Sequence, residues 1–203
     1  MRVFAILILN FVPTLAEATA FPSVSCDFTE PFLTIDVWNG GMRVITPEGA
    51  ITVADRTLSG SNLAPIVHAN INGKAATLAI THVQAGDGMS DFQSPFKGVL
   101  TGWPLATPQY GACLRYRDGA VPRPVAGVMQ NSRLNVRTQP RVSSRIIGSV
   151  NSSGRFWAYP EPVFRGWVRG GFEVIPKGES GMITVSEGWV NARYLGPPLS
   201  QLR

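Results

Sequence analysis

Leu33, Ile35 and Val37 alternate with Thr34, Asp36 and Trp38. A repeat of two residues is that of a strand with one face buried. Asn39-Gly40-Gly41 follows, residue types that accept a positive φ, so a hairpin is predicted with its return strand over residues 42–45. A second hairpin is predicted at Asn72-Gly73, between residues 66–71 and 75–83, and Leu78, Ile80 and His82 share one face of the latter run. Residues 96–100 and 112–116 are further strand candidates. Beyond them, strands are predicted over 134–137, 146–150, 155–159, 167–169 and 188–190, with a polar loop over 138–145. After the first twenty residues no stretch of useful length carries a helical period.

The pattern predicts an all-β chain of two units. Residues 21–116 form a small antiparallel β-barrel or sandwich, 117–127 a linker, 128–197 a second β domain and 198–203 a tail. The linker reading rests on two prolines and two glycines in a short run, which are not expected to continue a ladder. Composition agrees, since 21 Gly and 16 Pro favour many turns over helices. Residues 1–20 read as a secretory signal: Arg2, an apolar run over 3–12 broken only by Asn10, then the small-x-small site Ala18-Thr19-Ala20. That run is about half of the roughly 20 residues a membrane span needs. No second such run follows, so the mature chain is expected to carry no integral membrane segment and to be periplasmic or secreted. In an oxidising compartment the only two cysteines, Cys26 and Cys113, are expected to form a disulfide. Two thiols so far apart lack the short-spaced pairs of a zinc site, and no metal or cofactor is expected.

Charge divides unevenly. Residues 21–114 carry four basic and seven acidic side chains, and residues 115–203 carry thirteen and five. The basic half suits an anionic polymer or an envelope protein as partner. Nucleic acid is not expected, because export removes it and no binding signature for it is present.

Leu134-Asn135-Val136-Arg137, a polar stretch with Pro140, the pair Ile146-Ile147 and Gly148 strongly resemble the opening of bacterial SH3-like domains. Gly188-Trp189-Val190 through Tyr194-Leu195 is similar to that family's closing strand, and Gly166-Trp167 to its middle strand. The resemblance spans about 65 residues and implies a C-terminal SH3-like β-barrel that binds cell-wall peptide or glycan, or docks a partner. One departure is a long connection over 173–187, expected as a flexible hairpin beside the binding face. Further upstream, Cys26, Thr29-Glu30-Pro31-Phe32, Asp87-Gly88-Met89-Ser90-Asp91, Pro95-Phe96 and Cys113 resemble an uncharacterised family of bacterial envelope proteins, which implies no known chemistry.

Aromatic residues interleaved with arginine mark the candidate binding surface. Tyr159, Trp167, Asn191, Arg193 and Tyr194 are the expected ligand contacts, because rings stack on sugars and peptide planes and guanidinium forks onto carboxylate. On strand alternation Trp189 and Val190 face opposite ways, and Trp189 is placed in the core, with Tyr159, Tyr194 and Asn191 at the surface. No catalytic residues are expected. A hydrolase built on Ser90 and His82 is the competing idea, but no nucleophile-elbow glycines flank Ser90, and His82 is read as a hydrogen-bonded structural residue. Asp87, Ser90 and Asp91 form a motif of unknown role, read as a turn whose oxygens bond nearby amides rather than a cation. The combined reading is an exported binding protein for peptidoglycan or a wall-associated partner. Its alternative is a periplasmic inhibitor or docking factor for an envelope enzyme.

Overall fold

The computed structural model describes residues 21–199, so the expected signal at 1–20 lies outside the described residues. The fold is all-β, with no α-helix among these residues and a short 3-10 turn at Ala192–Tyr194. No helix among them is long and apolar enough to cross a membrane.

The first unit is a nine-stranded antiparallel sheet. Its strands are β1 (Ser23–Thr29), β2 (Phe32–Trp38), β3 (Gly41–Thr46), β4 (Gly49–Val53), β5 (Arg56–Ser61), β6 (Ala64–Ile71) and β7 (Lys74–Thr81), with β10 (Phe96–Thr101) and β11 (Gln109–Tyr116). They run in the order β4-β3-β2-β1-β11-β10-β7-β6-β5. The sheet curls until β4 lies against β6, and Asn70 donates to the Asp55 carbonyl at 3.1 Å, so the barrel is nearly closed. Both predicted hairpins are present. At the second, Asn72 (φ 51°) and Gly73 (φ 80°) supply the two positive φ values that match a tight turn to strand twist.

Alternation then sorts the strands. Val24, Cys26 and Phe28 of β1 and Leu33, Ile35 and Val37 of β2 face inward and meet Leu78 and Ile80 of β7. Cys26 and Cys113 oppose each other on β1 and β11 and form a disulfide within this core. Gly98 of β10 leaves the room it needs, because a Cβ there would sit 2.7 Å from Cys113 Sγ. The other faces of β2, β1 and β11 carry Asp36, Trp38, Ser25, Leu114 and Tyr116, all buried although they point away from the barrel interior.

What buries them is the second unit, a six-stranded sheet. Its strands are β12 (Val121–Pro124), β13 (Arg133–Arg137), β14 (Ile146–Asn151), β15 (Arg155–Ala158), β16 (Trp167–Val174) and β18 (Thr184–Asn191), in the order β12-β15-β16-β18-β13-β14. Leu134, Val136, Phe156, Val168, Phe172 and Val190 fill its interior. Between the units lies a third apolar cluster, in which Trp38, Leu114 and Tyr116 meet Trp157, Tyr159, Ala120 and Leu199. Tyr116 and Trp157 stack with centroids 4.3 Å apart.

Three expectations change here. The stretch expected as a plain linker contains β12, which pairs with β15. Its prolines are tolerated because β12 is an edge strand, where a missing donor costs no ladder bond. The expected tail begins inside the structure, since Leu199 is buried between the units. The connection over 173–187 is not a loose hairpin. It carries β17 (Ser180–Met182), which pairs in parallel with β9 (Asp91–Ser94) of the first unit, and β9 pairs with β8 (Ala85–Gly86). The Ile183 amide adds a 2.7 Å bond to the Gln93 carbonyl. The long connection is a strap that holds the two units together.

Candidate ligand-binding groove

Four of the five expected contacts converge. Trp167 opens β16 and opposes Asn191 at the end of β18, and the 3-10 turn that follows brings round Arg193 and Tyr194. Asn191 caps that turn, its Oδ1 accepting the Arg193 amide at 3.1 Å. The Arg193 guanidinium lies over the Tyr194 ring at 4.4 Å and donates to the Tyr194 hydroxyl. These residues line a groove of about 420 Å³ together with Arg133, Asn135 and Arg137 of β13. Trp167 is only 7% exposed and forms the floor, whereas Arg193 stands in solvent. Exposed Met129 and Val142 form apolar lips.

The groove is basic. Arg133, Arg137 and Arg193 line it, no carboxylate does, and none of the three forms an ion pair among the described residues. Arg137 is oriented by a 2.6 Å bond from Nη1 to the Ser144 carbonyl. Sequence reasoning missed Arg133 and Arg137 as groove residues. Both sit on the outward face of the strand that carries the opening motif, as alternation requires, but that this face meets the end of β18 is a long-range outcome.

Tyr159 lies elsewhere, which corrects its placement at the surface. Phe156 and Ala158 point into the interior of the second unit, so Trp157 and Tyr159 point out, and that outer face is covered by the first unit. The Tyr159 hydroxyl donates to Glu187 Oε1 at 2.8 Å, and the Arg117 guanidinium caps its ring at 3.9 Å. Burial first, and the Glu187 carboxylate second, push its phenol well above the usual range. Trp189 and Val190 are also exchanged relative to expectation. Val190 is sealed in the core beside Val168, while Trp189 takes the outer face opposite Arg169, edge-on to Phe164 with ring centroids 6.5 Å apart.

The Asp87 loop is a turn, as its residues predict. Asp87 Oδ1 accepts the Met89 amide, the Ser90 amide and the Ser90 hydroxyl at 2.9–3.0 Å. Partial burial works against the Asp87 carboxylate, but these three donors outweigh it and hold its pKa below the ordinary value. Asp91 opens β9, opposite Ser180 of the strap. His82 is exposed one residue beyond β7 and stacks on Phe96 at 4.8 Å, so it does not share the buried face of Leu78 and Ile80, and among the described residues it makes no structural hydrogen bond of the kind expected. With the Ser90 hydroxyl given to Asp87, no Ser90–His82 hydrogen bond exists among the described residues. No group of three His, Cys, Asp or Glu side chains among them is placed to hold a metal ion.

The two upstream motifs meet in space. Thr29 Oγ1 donates to the Asp87 carbonyl at 2.6 Å, and the two loops flank a depression of about 850 Å³. Exposed Phe32, Met89, Leu105 and Tyr110 surround it.

Comparison of the chain with models of protein families, with curated proteins and with solved structures gives no match.

Proposed function

We propose that the chain is an exported, non-catalytic binding protein whose second unit recognises peptidoglycan or a wall-associated partner through the basic groove. The observation that carries this reading is the convergence of Arg133, Arg137 and Arg193, free of carboxylates, beside Tyr194 and over Trp167. Guanidinium groups fork onto carboxylates, which wall peptides carry, and an aromatic ring offers a face to sugar or peptide. The likeness of 134–150 and 188–195 to bacterial SH3-like domains supports the same reading. The test is co-sedimentation of the purified protein with insoluble peptidoglycan. Binding is expected at low salt, to weaken as salt screens the arginines, and to fall at least about tenfold in an Arg133→Ala/Arg193→Ala double variant. Protein that stays in the supernatant at low salt overturns the reading.

A second reading, a docking factor for an envelope protein, is favoured by the apolar depression of the first unit. Single exposed apolar residues are ordinary, but Phe32, Met89, Leu105 and Tyr110 around one hollow make a patch. It predicts a stoichiometric protein complex from envelope extract that survives peptidoglycan digestion and is lost in Phe32→Asp.

A further inference from the structure

A cleft of about 520 Å³ lies between the two units and shares only Arg133 with the basic groove. The first unit contributes Ser25 and Asp27 of β1 and Leu114 and Tyr116 of β11. The second contributes Trp157, Phe172 and Glu173, together with residues 147–151 of β14. That last run is informative. A hollow over the face of a strand touches every second residue, because side chains alternate. Five consecutive lining residues mean that the hollow runs along the strand's edge.

That edge is free. β14 is the terminal strand of its sheet and, among the described residues, pairs only with β13. No other backbone hydrogen bond among the described residues reaches residues 147–150. Across the cleft the end of β16 is bare on one side too, because β15 pairs with β16 only at Gly170 and Gly171. Unpaired strand edges are templates for another strand, and here the template is sheltered between two units rather than open to solvent.

The cleft also has a chemistry. Leu114, Tyr116, Trp157 and Phe172 make its floor apolar. Of its charged groups, Arg155 is engaged by Asp36. Asp27 from one unit and Glu173 from the other form no ion pair among the described residues. The Glu173 carboxyl lies above its ordinary pKa, through desolvation first and the neighbouring Asp27 charge second, against the pull of Arg155. Two carboxylates within each other's field favour a cation between them. Arg133 and Lys177 also line the cleft, and neither pairs with them.

We propose that the cleft binds a short extended peptide segment of a partner protein, which adds as a strand to the free edge of β14 and sets a basic side chain beside Asp27 and Glu173. Main-chain bonds to β14 supply affinity, the aromatic floor takes an apolar neighbour, and the two carboxylates select the charge.

The test uses the whole protein and the peptide Ala-Val-Lys-Val-Ala, acetylated and amidated, with binding read by calorimetry. Saturable one-to-one binding is expected. It should weaken by about tenfold or more when Lys is replaced by Glu, and similarly for the original peptide in Asp27→Asn or Glu173→Gln, which keep shape and lose charge. Backbone N-methylation of alternate residues should abolish binding in one of the two possible registers, because it removes donors without changing side chains. The Arg133→Ala/Arg193→Ala variant that tests the groove shares Arg133 with this cleft, so Arg193→Ala alone is the control and should leave peptide binding unchanged. Absence of saturable binding, equal binding of peptides N-methylated in both registers, or loss of binding in Arg193→Ala overturns the proposal, independently of the result with peptidoglycan.

Discussion

Asp36 has no exposed surface, yet it carries a carboxylate. It accepts the Ser25 hydroxyl at 2.8 Å, and its Oδ2 lies 2.7 Å from Arg155 Nε of the other unit without a well-aligned hydrogen bond between them. Burial pushes its pKa up to about 6, with Arg155 and Ser25 pulling it back, Asp27 pushing it further and Arg43 pulling more weakly. A folded-state value above the ordinary 3.8 means that the native protein holds a proton the unfolded chain has released. The stability this group contributes is therefore full below the ordinary value and is lost as pH rises through about 6. We expect Asp36→Asn to flatten the pH dependence of the urea midpoint between about pH 4 and 6 relative to the parent protein. Arg155→Met removes the cation and leaves the carboxylate sealed in. It should cost roughly 3–5 kcal/mol at neutral pH and less below pH 6, where Asp36 takes up a proton. None of this was legible in the sequence. Asp36 sits in the polar half of an alternating strand, and alternation says which face a residue takes, not whether another unit covers that face.

At the scale of elements, the strongest local signals read well, while β1, β4 and β5, though paired with their sequence neighbours, and the long-range strands did not. Asn39-Gly40 and Asn72-Gly73 mark their hairpins because positive φ is a local demand. The alternation of β2 marks its strand for the same reason. β9 and β17 escaped, being short and paired across about 90 residues in parallel, with no turn to announce them. β12 escaped because proline argues against a strand unless its edge position is known. In the groove, Trp167, Asn191, Arg193 and Tyr194 were legible from motif order, while Tyr159 was misplaced because the covering unit was unknown. Close packing between elements gives a sharp test. A Cβ at Gly170 of β16 would lie 2.2 Å from the Trp157 carbonyl oxygen and 2.5 Å from the Phe156 ring. Backbone cannot swing aside as a flexible side chain can. Gly170→Ala should therefore destabilise by about 1–3 kcal/mol, read as a lower urea midpoint.

At the scale of the whole molecule, the apolar cluster between the units, the buried Asp36–Arg155 pair and the strap act together. Thermal unfolding should therefore be one cooperative transition. Trp38→Ala, which empties a fully buried site at the junction, should cost about 3–5 kcal/mol and separate the melting of the two units in calorimetry. The disulfide acts within the first unit alone. It closes a separation of 87 residues, so Cys26→Ala/Cys113→Ala should lower stability by about 4–5 kcal/mol in the chain-entropy account, with the first unit melting earlier.

The shared junction also dictates how this chain can be cut. Excising residues 128–197 along the boundary its motifs suggest would discard β12 and Leu199 and bare Trp157 and Tyr159 to water. Such a fragment should be sticky and should clump at concentrations where the parent stays dispersed. A poor result from it would report the scissors and not the binding surface.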